Sequence, residues 1–154
     1  MQRRLPSGVV AVEPGPGQES VWDYPRPPRV EPVSGRVRVV VGGRPLADST
    51  RALRVVETAG APVYYVPADD VDLGRLRSVD RSTVCEWKGS ATYVDLDDGE
   101  RRIPAVAWTY HQPNPGYEAI RDHLAFYAAK VDEAWLGDER AEPQPGGFYG
   151  GWVT

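Results

Sequence analysis

The stretch Arg36 to Val41 alternates, and this places Val37, Val39 and Val41 on one face of an extended chain. Gly42-Gly43 then has the composition of a two-residue hairpin turn. Leu53 to Glu57 is a second β-rich stretch, and Gly60-Ala61 turns the chain into Val63-Tyr64-Tyr65-Val66. Pro67-Ala68-Asp69-Asp70 opens a short helical turn through about Leu76. Thr83 to Trp87 and Ala91 to Leu96 read as strands around Lys88-Gly89, with a hairpin turn at Asp97-Asp98-Gly99. Ala105 to Thr109 alternates again. The segment Pro113 to Pro115 is loop, Tyr117 to His123 a short helix, and Leu124 to Ala128 a last strand. Seven or eight short strands with turn signals about every 8–12 residues predict a mainly β barrel or sandwich. No internal repeat is visible.

Glycine and proline divide the chain. Of 31 such residues in 154, eleven fall in residues 1–35 and seven in 137–154, so the middle is the compact part. The expected organisation is a flexible tail over 1–18, a Pro/aromatic strap over 19–34, a β domain over 35–136 and a Gly-rich aromatic arm over 137–154. The strap carries Trp22 and Tyr24 ahead of Pro25, Pro27 and Pro28, a stiff segment with two rings to dock. The C-terminal arm ends Gly-Gly-Phe148-Tyr149-Gly-Gly-Trp152, where glycines permit close approach and rings supply contact area. A lid on the domain and an oligomer contact, such as a homodimer's, are both open for it.

Charge removes several function classes. Lys plus Arg is 18 against 22 Asp plus Glu, a net −4, with no dense basic run to displace counterions, so no nucleic-acid partner is expected. No apolar run approaches the ~18 residues of a membrane span, so no membrane partner is expected either. The apolar stretch Val9 to Val12 is too short for a signal-peptide core, which predicts a cytoplasmic protein. Cys85 alone forms no intrachain disulfide, and with only His111 and His123 beside it no structural metal is expected. No cofactor motif is present: no phosphate loop on a strand–helix junction, no nucleophile elbow, no His-Glu-x-x-His.

The candidate chemistry lies in the strands. Tyr65, Tyr93, Trp108, Tyr110 and Tyr127 fall in or just after them. Lys88, one of two lysines in an Arg-rich chain, follows Trp87 on a turn. Cys85 precedes it by three residues, and Glu57 ends a strand. An aromatic box with a Lys and a Glu at its rim suits a flat polar ligand, because rings stack and the polar groups orient. The competing assignments are rings as cross-strand core, Cys85 as a small buried apolar residue and Lys88 as a solvated charge. Asp69, Asp70 and Asp72 form a carboxylate cluster that reads better as helix caps.

Together these motifs resemble a known family. Ala47-Asp48-Ser49 leads to Glu57, then Tyr65-Val-Pro67 and Asp70-Val71. Cys85-x-x-Lys88-Gly89-x-Ala91-x-Tyr93 follows, then Ala107-Trp108-x-Tyr110 with Pro113, and Ala125-Phe126-Tyr127. Over about residues 35–131 this pattern resembles DUF427, a bacterial and fungal domain of unknown function. The resemblance implies a small antiparallel two-sheet β-tent (Mss4-like) domain with one or two short helices, similar to cereblon-type domains. The zinc of such relatives does not carry over, because their cysteine pairs are missing here. A nucleotidyltransferase-like label attached to the family finds no paired metal-binding carboxylates to support it.

Three functions follow. The first is binding of a small planar polar molecule (nucleoside, nucleobase or cyclic amide) by Glu57, Tyr65, Lys88, Tyr93, Trp108 and Tyr110. The second is a small metal-independent enzyme with Cys85 or Lys88 as nucleophile, or Glu57 as general base beside Lys88. The third is an interaction or oligomerising module working through the arms.

Overall fold

The computed structural model describes residues 24–145 and 150–154. Thirteen strands are formed among them: β1 (Arg29–Pro32), β2 (Val37–Val41), β3 (Arg44–Ser49), β4 (Leu53–Val56), β5 (Val63–Pro67), β6 (Leu76–Cys85), β7 (Gly89–Asp97), β8 (Arg102–Thr109), β9 (His123–Phe126), β10 (Glu133–Leu136), β11 (Glu139–Arg140), β12 (Glu142–Pro143) and β13 (Trp152–Val153). A seven-stranded sheet runs β1-β4-β5-β9-β8-β7-β6 and a four-stranded sheet runs β11-β10-β2-β3. A small β12-β13 ribbon completes the set, and all strand pairings are antiparallel. The large sheet keeps two open edges, β1 and β6, so the fold is a two-sheet sandwich rather than a closed barrel. No helix among the described residues is long and apolar enough to cross a membrane.

Strand alternation sorts side chains into two cores. Val37, Val39 and Val41 of β2 are fully buried and meet Tyr64, Val66, Leu124 and Phe126 from the large sheet. The opposite face of the large sheet carries a second cluster of Val55, Tyr65, Trp108, Tyr110, Tyr117, Ile120 and Ala125. One row of directly opposed residues crosses that face in register, Leu53–Tyr65–Ala125–Trp108–Tyr93. The aromatic candidates Tyr65, Tyr93, Trp108 and Tyr110 thus share one cluster on one side of the large sheet.

The described residues on either side of the domain lie on this frame. Tyr24 is buried, its carbonyl accepts the Thr58 hydroxyl, and the Thr58 N–H donates to Pro25 O at 3.1 Å. The Tyr117 hydroxyl donates to Pro28 O at 2.8 Å, after which β1 joins the sheet edge. At the other end Trp152 is 2% exposed, and its indole N–H donates to Phe126 O at 2.9 Å. The expectations for residues 1–18, for Trp22 and for Phe148-Tyr149 lie outside the described residues.

The helices are shorter than the sequence predicts. Ala68–Asp70 and Leu73–Arg75 are separate three-residue 3-10 turns, and only Glu118–Ile120 of the Tyr117 to His123 segment is helical. Asp122 takes φ 56°, which no helix continues through. The cap reading of the aspartates is also corrected, because neither turn receives a side-chain cap bond. Asp70 instead accepts the Ser49 hydroxyl at 2.6 Å and the Arg51 guanidinium at 3.1 Å, which ties the turn to β3.

Such carboxylates set the acid limit of the fold. Arg36 lowers the pKa of Asp48, Ser49 and Arg51 lower that of Asp70, and the N–H groups of Glu100 and Arg101 lower that of Asp98. The Gly42 N–H does the same for Asp132, with Arg101 adding to it. A depressed folded pKa contributes stability that is fully present above the unfolded value of ~4 and is lost as pH falls through the folded value. The melting temperature is therefore expected to hold level from pH 7 to about pH 5 and to fall steeply below about pH 4. Circular-dichroism melts across that range check it, and a level profile down to pH 2.5 would show these pairs to be energetically silent.

Candidate functional site

Lys88 owes its position to a clamp on the β6–β7 turn. Gly89 has φ +109°, a conformation open to glycine, and Asn114 packs where a Cβ would stand, 3.1 Å from its Oδ1. The Asn114 N–H donates to Lys88 O at 2.9 Å, and its side-chain amide donates to Trp87 O at 3.2 Å. The loop containing Pro113 thereby holds the Trp87-Lys88 backbone through two bonds from Asn114. The Lys88 ammonium stands 5.9 Å from the centroid of Tyr110, at the outer reach of a cation–π contact.

Behind Lys88 the rings pack against each other. Tyr65 and Trp108 meet edge to face with centroids 6.4 Å apart. The Trp108 indole N–H points at the Tyr65 hydroxyl at 3.4 Å. Tyr110 lies 6.3 Å from Tyr65, and Tyr127 lies tilted against Trp108 with centroids 4.6 Å apart. Tyr93 sits at the far end of the row, with its hydroxyl 2.9 Å from that of Thr83 and Arg81 over its ring. Cys85, half-buried at the end of β6, packs against the same cluster.

Burial governs the ionisation here. It raises the phenols of Tyr65, Tyr110 and Tyr117, and it pushes Tyr127 up to about 12. All four are neutral at physiological pH. Burial pulls Lys88 down, and its neighbours Tyr65, Cys85 and the Glu57 carboxylate push it up, with a net shift above the ordinary lysine value. Lys88 is therefore a cation at neutral pH.

A cleft of about 300 Å³ opens beside this cluster. Its walls are Arg26, Val55, Glu57, Thr58, Ala59, Gly60, Ala61, Val63, Lys88, Gln144, Gly150 and Gly151. Of the sequence candidates, Glu57 and Lys88 reach it. Tyr65, Tyr93, Trp108 and Tyr110 are not among its lining residues; Trp108 touches the Gly150 wall and Tyr110 lies beside Lys88. Gly150 lies so close to Trp108 that a Cβ there would stand 2.1 Å from the ring, so the indole carries one wall. The loop over residues 57–61 forms another, with Ala59 held at φ 71°, a position where a non-glycine residue costs roughly 1–2 kcal/mol. The Gln144 side chain accepts the Ala61 N–H at 3.0 Å and closes the end.

Sequence reasoning did not reach Arg26, Thr58 or Gln144. Their signal is tertiary: Arg26 and Gln144 come together over the 57–61 loop, which is far from both in sequence. The glycine-rich composition of the arm permits close approach, which is the use the cleft makes of Gly150 and Gly151.

A family model described as Domain of unknown function (DUF427) matches residues 29–137. It spans Glu57, Lys88 and the whole aromatic row, and it leaves out Arg26, Gln144, Gly150 and Gly151. No curated protein matches the chain.

Proposed function

The chain belongs to the DUF427 family, and from that premise we propose that its cleft binds a small planar polar molecule of the nucleobase, nucleoside or cyclic-amide type. The observation that carries this reading is Glu57 and Lys88 on the walls of one cleft. A carboxylate accepts and an ammonium donates. An amide edge offers the converse pair, an N–H to give and a carbonyl to receive. The volume of about 300 Å³ sits at the small end of ligand sites, which suits one ring better than several. In this reading Tyr65 and Tyr110 fix Lys88, Trp108 braces the Gly150 wall, and Tyr93 extends the supporting row.

Binding is preferred to covalent chemistry at Lys88, because an amine held protonated is a poor nucleophile. Thermal shift against uracil, uridine and glutarimide tests the proposal. A ligand at ~100 times Kd adds roughly 2.7 kcal/mol, a rise of several degrees. Lys88→Met and Glu57→Gln are each expected to fold and to lose that rise. No rise for the wild-type chain with any of the three compounds at millimolar concentration would overturn the proposal.

A further inference from the structure

We infer that the ligand of this cleft carries an acid group, and that Arg26 is the residue that receives it. The inference rests on the binding reading above and sharpens its substrate class to an acidic planar cyclic amide. Among the residues that line the cleft, Arg26 and Lys88 are cationic and Glu57 alone is anionic. Lys88 and Glu57 attract each other, which leaves one positive charge in excess. That charge is Arg26, which makes no hydrogen bond or ion pair among the described residues. The chain as a whole is at −4, so a cationic cleft is a local arrangement and not the overspill of a basic surface.

Arg26 is also held in place by its neighbours. The carbonyls of Tyr24 and Pro25 both accept from Thr58, itself a lining residue. Prolines on either side restrict the backbone further. A guanidinium on a fixed backbone presents a planar fork of donors, which matches the two oxygens of a carboxylate or phosphate. Glu57 and Lys88 would read the amide edge while Arg26 takes the acid. Because Arg26 lies outside the matched family domain, this selectivity belongs to the N-terminal segment of this chain.

The test compares each neutral ring with its acid-bearing partner on the full chain: uracil with orotate, and uridine with uridine monophosphate. At low salt the acid-bearing member is expected to bind at least tenfold tighter. Added salt should shrink that advantage, because Arg26 is exposed to solvent. In Arg26→Gln the acid-bearing compound is expected to bind like its neutral parent. A gain for orotate alone assigns the acid to the ring, and a gain for the nucleotide alone assigns it to a phosphate. Equal binding of acid and parent by the wild-type chain would overturn this inference and leave the cleft reading standing. A gain that survives Arg26→Gln would overturn the role of Arg26. No binding by any of the four would overturn both.

Discussion

Trp152→Ala is expected to cost about 3–5 kcal/mol of stability, the usual loss for a fully buried tryptophan. Trp152 is 2% exposed, stacks 5.2 Å from Tyr64 and gives its indole N–H to Phe126 O. It reaches the main core between the two sheets, so truncation leaves both a cavity and an unsatisfied carbonyl. Neighbouring Val153 is 42% exposed, and Val153→Ala should stay within ~0.5 kcal/mol. Urea denaturation followed by circular dichroism measures both. In thermal melts the tryptophan variant should fall by on the order of 10 °C. A loss under ~1 kcal/mol would mean that the C-terminal segment does not dock in solution, and the Gly150–Gly151 wall of the cleft would go with it.

The parts of this fold that can be read in the sequence are those where one face is buried and the other is not. β2 announces itself because Val37, Val39 and Val41 all enter the core. The turns at Gly42-Gly43 and Gly99 are visible because each needs positive φ. β6 starts seven residues before the apolar stretch at Thr83, because it is an edge strand exposed along most of its length and has no pattern to show. β1 and β10 are too short to carry a period, with four residues each.

The site divides along a similar line. Tyr65, Trp108 and Tyr110 stand out as rings in strands, and sequence alone does not tell a ring that lines a cleft from one that packs behind it. All three are buried, at 0%, 8% and 4% exposure, and none lines the cleft beside Lys88. Lys88 is conspicuous by rarity, but its clamp by Asn114 arises from a loop 26 positions on. Gln144 meets Ala61 across 83 residues, which no local pattern encodes.

Gly151→Val is expected to release the same C-terminal segment by a different route. A Cβ at Gly151 would stand 2.5 Å from Ala61 O and 2.9 Å from Ala61 C, both backbone atoms that have no rotamer to give way with. Overpacking of this kind costs ~1–3 kcal/mol where the surroundings adjust, and more where they do not. The strain has a ceiling, since the chain escapes it by letting the segment go. Release forfeits the Trp152 N–H bond to Pro62 O, the Gln144 N–H bond to Gly151 O and the burial of Trp152. The cost of Gly151→Val should thus approach that of Trp152→Ala without exceeding it greatly. Gly60→Ala in the facing loop is the control, because its Cβ would meet nothing nearer than Glu57 O at 3.8 Å. It should be neutral or stabilising by up to ~1 kcal/mol. The double variant decides whether one event underlies both losses. If each releases the segment, Gly151→Val should cost less than ~1 kcal/mol in the Trp152→Ala background, far below additivity. Fully additive losses would mean that Gly151 and Trp152 are held independently, and that the cleft wall can be opened while the tryptophan stays in the core.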